Sequence, residues 1–216
     1  MVRTATRITV EPGSHLLMSD VAWTTYSDFL KMFAESPAVR LTYDRGMLEI
    51  MSPSLHHDDA SRFFVSLIQI LAEEWERPFK SGGSTTMRRK PKQAGLEADE
   101  CFWLDTAPQM AGRRQLNLRR DPPPDLAIEI ELRRSSINRM TLFARLGVPE
   151  VWRLRKSGLT FHALAGKKYD EAATSVAFPG VTPALIEKFV DKAADEGDVL
   201  GALREFRIAA RKCHAK

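Results

Sequence analysis

The chain has 216 residues, 44% apolar and 28% charged, the make-up of an ordinary soluble globular protein long enough to bury a core without disulfides or a structural metal. Lys and Arg outnumber Asp and Glu by 32 to 28, a net charge of +4, which permits an anionic partner such as nucleic acid without requiring one. Cys101 and Cys213 have no metal-type spacing and suit a reducing compartment, no apolar run is long enough to span a bilayer, and the N-terminus lacks an apolar signal core, so a cytoplasmic location without membrane contact is expected.

In chain order, residues 1–18 read as an N-terminal extension or edge strand interrupted by Pro12-Gly13. Ser19 to Ala34 is expected to be helical, because Trp23, Tyr26, Phe29, Leu30 and Phe33 recur at helical spacing and Ser19 or Asp20 can cap the helix. Val39–Tyr43 and Met47–Met51 alternate around Asp44-Arg45-Gly46, the pattern of a hairpin. His56 to Glu76 predicts the main helix, with Phe64, Leu67, Ile68, Leu71 and Trp75 on one face. Short strands are expected at Ser84–Arg88 and Ala98–Leu104, then a basic connection over 106–124 that closes on three prolines. Leu126–Ile130, short and apolar after those prolines, predicts a buried central strand. Ser135 or Ser136 is placed to cap a helix that Gly147 stops. Val151–Leu154 and Leu159–Leu164 predict a second hairpin, and Pro183 opens the first of two C-terminal helices, the second covering Val199 to Lys212. The expected division is an extension over 1–18, a main domain over 19–182 and a helical segment over 183–216.

Glu129 and Glu131 stand two apart on the predicted central strand and share a face, opposite Leu126, Ile128 and Ile130. A carboxylate pair on a buried face is costly unless a cation neutralises it, and Mg²⁺ or Mn²⁺ takes such hard oxygen ligands. The plainer alternative is a strand end emerging into solvent, its acids paired with Arg133 and Arg134. Glu97 and Asp99 in GLEADECFWL also share a face by period two, or are simply turn residues after Gly95. Asp125 after the prolines suits a structural anchor that accepts backbone N–H groups. Gly82 to Thr86 lacks the ending of a P-loop and carries little weight. Basic residues cluster at 88–92, at 113–114 with 119–120, and at 133–134.

Five longer motifs carry a resemblance: LTYDRGMLEIMSPS followed by His57, GSTTMRR, GLEADECFWL, PPPDLAIEIE and SSINRMTLFARLGVPEVWRL. Together they resemble the Uma2 family, assigned to the restriction-endonuclease-like PD-(D/E)XK fold. The resemblance implies an α/β (α+β) domain: a central mixed sheet flanked by helices, with an N-terminal hairpin and C-terminal helices. It places Asp99 on the first acid of the family's site and Glu129 on the acid of the central strand. The carbonyl of Ile130 is implied as a further metal ligand. Glu131 stands where the generic motif has its lysine, and Arg139 on the following helix matches the basic residue that takes over that role. His57 and Asp58 match a histidine followed by an acid. His57 either orients groups at the site or makes a structural hydrogen bond, and Asp58 either joins the site or simply complements the helix dipole.

The function this implies is a metal-dependent endonuclease that hydrolyses phosphodiester bonds in DNA. Asp99, Glu129, Glu131 and the Ile130 carbonyl would hold Mg²⁺ or Mn²⁺, Arg139 and His57 would assist, and Glu97, Asp58 and Asp125 would stand behind them. No base-reading element is evident, so DNA binding of low specificity is expected, and a homodimer suits an enzyme that cuts both strands. The alternative is an inactive nucleic-acid-binding or protein-interaction module on a nuclease scaffold. Its motive is Arg139, because an arginine clamps oxyanions but does not accept a proton.

Overall fold

A computed structural model describes residues 10–34 and 39–214; the expectations for residues 1–9 lie outside them. Strand β1 (His15–Met18) is followed by helix α1 (Trp23–Met32), which starts later than its apolar spacing suggests. Asp20 has a φ of 56°, outside any right-handed helix, and Ala22 takes the N-cap position with no side-chain cap. The hairpin of β2 (Arg40–Asp44) and β3 (Met47–Met51) turns on Arg45 and Gly46. Both have positive φ, 47° and 95°, the backbone twist that tight hairpins require. Its register sets Thr42 opposite Glu49.

Helix α2 (Leu55–Glu74) is capped by Ser54, whose hydroxyl accepts from the His57 N–H. Phe64, Leu67, Ile68 and Leu71 on it are fully buried, each contributing about 1.5–3 kcal/mol relative to exposure. After it come β4 (Lys80–Ser81), β5 (Thr86–Arg89), β6 (Ala94–Glu97) and β7 (Glu100–Trp103). The single strand expected over Ala98–Leu104 is therefore shorter, and the chain crosses from one sheet to another at Ala98-Asp99. Then come β8 (Leu126–Glu131), α3 (Arg139–Leu146), β9 (Glu150–Arg155), β10 (Gly158–Ala165), β11 (Lys168–Ala172), α4 (Pro183–Glu196) and α5 (Val199–His214). Helix α3 begins at Arg139, not at 135, because Asn138 caps it while Ser135 and Ser136 are engaged elsewhere. Gly147 ends it with a φ of 87°.

One sheet has the order β1-β3-β2-β6-β5 and the other β11-β10-β9-β8-β7-β4. The second is mixed: β8 and β9 are parallel, and α3 lies between them in the chain. The described residues thus form a mixed α+β arrangement with five α-helices, as expected. The hairpin goes further than an appendage and is part of a five-stranded antiparallel sheet. Strand β8 is covered on both faces. Leu126, Ile128 and Ile130 join the α2 core, while Ala127, of the parity that includes Glu129, joins the α3 core. Ile186, Phe189, Ala202 and Phe206 of the C-terminal helices belong to the same core as α2.

A third core lies between α1 and the first sheet, where the Tyr26 and Tyr43 rings stack 4.8 Å apart. Gly95 on β6 has no room for a side chain there, because an added Cβ would fall inside the contact radius of the Tyr26 ring and hydroxyl. Gly95→Ala is expected to lose about 1–3 kcal/mol by overpacking, read as a shift in the urea midpoint at constant slope.

Candidate active site

Asp99 occupies the joint between β6 and β7 and is 3% exposed. Its Oδ2 accepts from the Ile130 N–H at 2.6 Å, so a side chain stands in for the strand neighbour that β8 lacks at this point. Its Oδ1 lies 3.2 Å from His57 Nε2, an ion-pair distance although the groups are not aligned for a hydrogen bond. The Ser54 cap fixes the first turn of α2 and with it His57, which is buried. Asp58 is partly exposed, its Oδ1 3.7 Å from His57 Nδ1, and also sits where an acid complements the dipole of α2.

Glu129 meets Arg139 in a two-point contact. Arg139 Nη2 donates to Glu129 Oε2 at 2.8 Å, and Nε pairs with Oε1. The same guanidinium donates from Nη1 to Thr42 Oγ1 at 2.6 Å and from Nη2 to the Glu97 carbonyl at 2.8 Å. Arg139 therefore ties α3 to both sheets. Both side chains are buried, at 4% and 8% exposure.

The remaining expected residues have other partners. Glu131 is engaged by Arg153, whose Nε donates at 3.0 Å and whose Nη2 also reaches it. Glu97 turns away from Asp99 and accepts from the Leu41 N–H and the Thr86 hydroxyl. Asp125 Oδ2 accepts from the Leu104 N–H, the Thr106 N–H and the Thr106 hydroxyl, the anchoring role the prolines suggested. Arg133 donates to the Gly13 carbonyl. Sequence reasoning missed Thr42 and Glu49. Glu49, 2% exposed, accepts from the Ser135 hydroxyl and the Ser136 N–H, both at 2.8 Å, and lies 3.6 Å from His15 Nδ1. The available signal was the hairpin itself, which puts two polar residues opposite each other amid apolar neighbours.

The charges bias one another. Burial works against ionised Asp99, but His57, Arg139 and the Ile130 N–H together hold its carboxyl below the usual range. Burial likewise disfavours protonated His57, and the Asp99 carboxylate, with Glu129 and Asp58, reverses that and raises the ring's pKa. Burial pushes Glu129 up to about 7 against the pull of Arg139, with Asp99 adding to the rise. Arg139 is pushed further up by Glu129 and Asp99 in spite of its burial. Glu129 Oε2 accepts from Arg139 Nη2 and Oε1 lies in ion-pair contact with Nε, the contacts of an ionised pair. Protonation of His57 stabilises the fold fully below its ordinary pKa of about 6.5, and this contribution fades as pH rises through the raised value. NMR titration of the His57 ring is expected to give a pKa above 6.5 in the wild type and a lower one in Asp99→Asn.

The family model Uma2, described as "Putative restriction endonuclease", matches residues 26–187. The chain belongs to the Uma2 family. That description places the chain among nuclease-like proteins. A crystal structure of "a putative nuclease belonging to DUF820" from Anabaena variabilis ATCC 29413 aligns with a TM-score of 0.47 and 13% identity, over 81% of this chain and 98% of that one. No curated protein matches the chain. Among the described residues, no helix is long and apolar enough to cross a membrane.

For this Uma2 chain the donor chemistry fits a hard divalent cation. Asp99 and Glu129 supply buried carboxylate oxygens, and Asp99 Oδ1 has no hydrogen-bond partner. Among the described residues, no three His, Cys, Asp or Glu side chains group as a complete metal cage. Mg²⁺ does not need one, since it commonly uses one or two carboxylates with water and substrate oxygens completing its shell.

Proposed function

We propose that this Uma2 protein is a metal-dependent endonuclease that hydrolyses phosphodiester bonds in DNA. The observation that carries this reading is that buried Asp99 is bonded to the Ile130 N–H while buried Glu129, the residue before it on β8, is held by Arg139. Asp99, Glu129 and the Ile130 main-chain carbonyl would hold Mg²⁺ or Mn²⁺, with Glu131 a third acid that Arg153 holds back. When bound, the ion lowers the pKa of a water and polarises the scissile phosphate. Asp99 is oriented for this by Ile130 and His57. Arg139 stays protonated, so it serves as a fixed charge for oxyanions rather than as a base. With no base-reading element in the sequence, binding follows the phosphate backbone, and cutting both strands calls for two copies of the chain.

The test is plasmid nicking by the purified protein with Mn²⁺ or Mg²⁺, beside calorimetric titration of the metal alone. Metal-dependent nicking that Asp99→Asn abolishes supports the reading; full activity in that variant rejects the site.

A second reading rests on Arg139. Its fork occupies both oxygens of Glu129, which leaves the acid already neutralised by an internal cation. A binding module built on a nuclease scaffold would look like this. It predicts salt-dependent DNA binding with no heat of Mn²⁺ binding and no nicking.

A further inference from the structure

An open groove of about 1290 Å³ runs along the first sheet. Its walls come from α1, from β5 with the turn that follows it, and from the segment 114–120. Two basic clusters far apart in sequence converge there: Arg88, Arg89 and Lys90 from one, Arg114 and Arg119 from the other. Among the described residues, no acid pairs with any of these five. Arg89 Nε is buried without a hydrogen-bond partner. Glu97, the acid in the lining, is already taken by the Leu41 N–H and the Thr86 hydroxyl. Trp23 and Phe33 add aromatic surface to the same wall.

We infer that this groove is a binding track for the phosphodiester backbone of a nucleic acid strand, separate from the buried carboxylate cluster. Clustered cations without ion-pair partners attract a polyanion and release its condensed ions. Aromatic faces beside them stack bases regardless of sequence. A concave groove does not fit a flat anionic bilayer. None of Asp99, Glu129, His57 or Arg139 lines it, yet it abuts their cluster. Glu97 and Leu41 line the groove, while the Glu97 carbonyl and the neighbouring Thr42 hydroxyl receive Arg139. A strand in the groove is gripped beside the cluster rather than within it. The inference rests on the nucleic-acid part of the proposed function, and not on metal or cleavage.

The experiment uses the full chain in EDTA, with fluorescence anisotropy of a labelled single strand and of the matching duplex over a salt series. Tighter binding of one form identifies the physiological source of the backbone, and either form supports the track. Engagement of four cations by a single strand gives a slope of log affinity against log salt of about −3. Lys90→Glu with Arg114→Glu is expected to weaken binding at least tenfold and to flatten that slope by about 1.4. Lys167→Glu, on a turn outside the groove, should leave it unchanged. Circular dichroism and melting of each variant confirm folding, and single reversals at Arg88 and Arg119 repeat the test if the pair is unstable. Binding that ignores the groove variants, absence of affinity at low salt, or equal competition by polyglutamate overturns the inference. Binding through the groove without any nicking rejects only the nuclease reading, and nicking that survives the reversals unchanged without groove binding rejects only the track.

Discussion

Arg139→Ala is expected to lower stability by about 3–5 kcal/mol, the cost of leaving a buried charge without its partner. The measurement is urea unfolding followed by circular dichroism, compared with wild type at the same pH. The magnitude follows from what the guanidinium holds. Glu129, 4% exposed and already pushed up to about 7 with Arg139 beside it, would lose its donors and be driven to take up a proton. The Thr42 hydroxyl and the Glu97 carbonyl would also lose the hydrogen bonds that link α3 to the first sheet. Arg139→Lys should recover only part of the loss, because an ammonium cannot reproduce the two-point fork. Replacing both partners, as in Arg139→Met with Glu129→Leu, is expected to be close to neutral, since no orphan charge remains. If Arg139→Ala alone costs less than about 1 kcal/mol, the range of an exposed pair, the buried clamp is not formed in solution.

The second large effect concerns chemistry. Glu129→Gln is expected to reduce metal-dependent nicking about 10³-fold, roughly 4 kcal/mol of barrier. It should also weaken Mn²⁺ binding measured by calorimetry. Glutamine keeps the shape of glutamate but offers one acceptor where Arg139 presents donors to two oxygens. Some stability is lost as well, about 1–3 kcal/mol for the donor left unmatched, so the assay belongs well below the variant's melting temperature. Glu131→Gln is the contrast. Because Arg153 already holds Glu131, its effect on nicking should be smaller by an order of magnitude or more. Equal losses in the two variants would put Glu131 at the metal on a par with Glu129.

How much of this the sequence revealed depends on the range of the contact. Strand β8 was legible because its apolar residues alternate and prolines bound it, and that parity correctly separated Glu129 from Ile128 and Ile130. The hairpin was legible from its Asp-Arg-Gly turn. Long-range partners were not. The Asp99 bond to Ile130 joins residues 31 apart and depends on the antiparallel register that sets Glu100 opposite Ile128. The Glu49 contact with Ser135 spans 86 residues, and it explains why a serine with good capping chemistry caps nothing. Arg139 could be singled out only through the SSINRMTLFARLGVPEVWRL motif, since nothing in helical spacing distinguishes an arginine that clamps a buried glutamate from one that faces water. Asp20 shows the opposite limit: apolar periodicity ran past a residue whose backbone cannot be helical.

The joint at Ala98-Asp99 has a mechanical side. Two residues separate the end of β6 in one sheet from the start of β7 in the other, a tighter crossing than the one from β4 to β5, so a change in the angle between the sheets bends the chain there. One of the two is fastened to β8 through the Ile130 amide. Whatever grips Asp99 therefore acts on a pivot, and the hydrogen-exchange rate of that amide becomes a gauge of how firmly the two halves of the molecule are locked together.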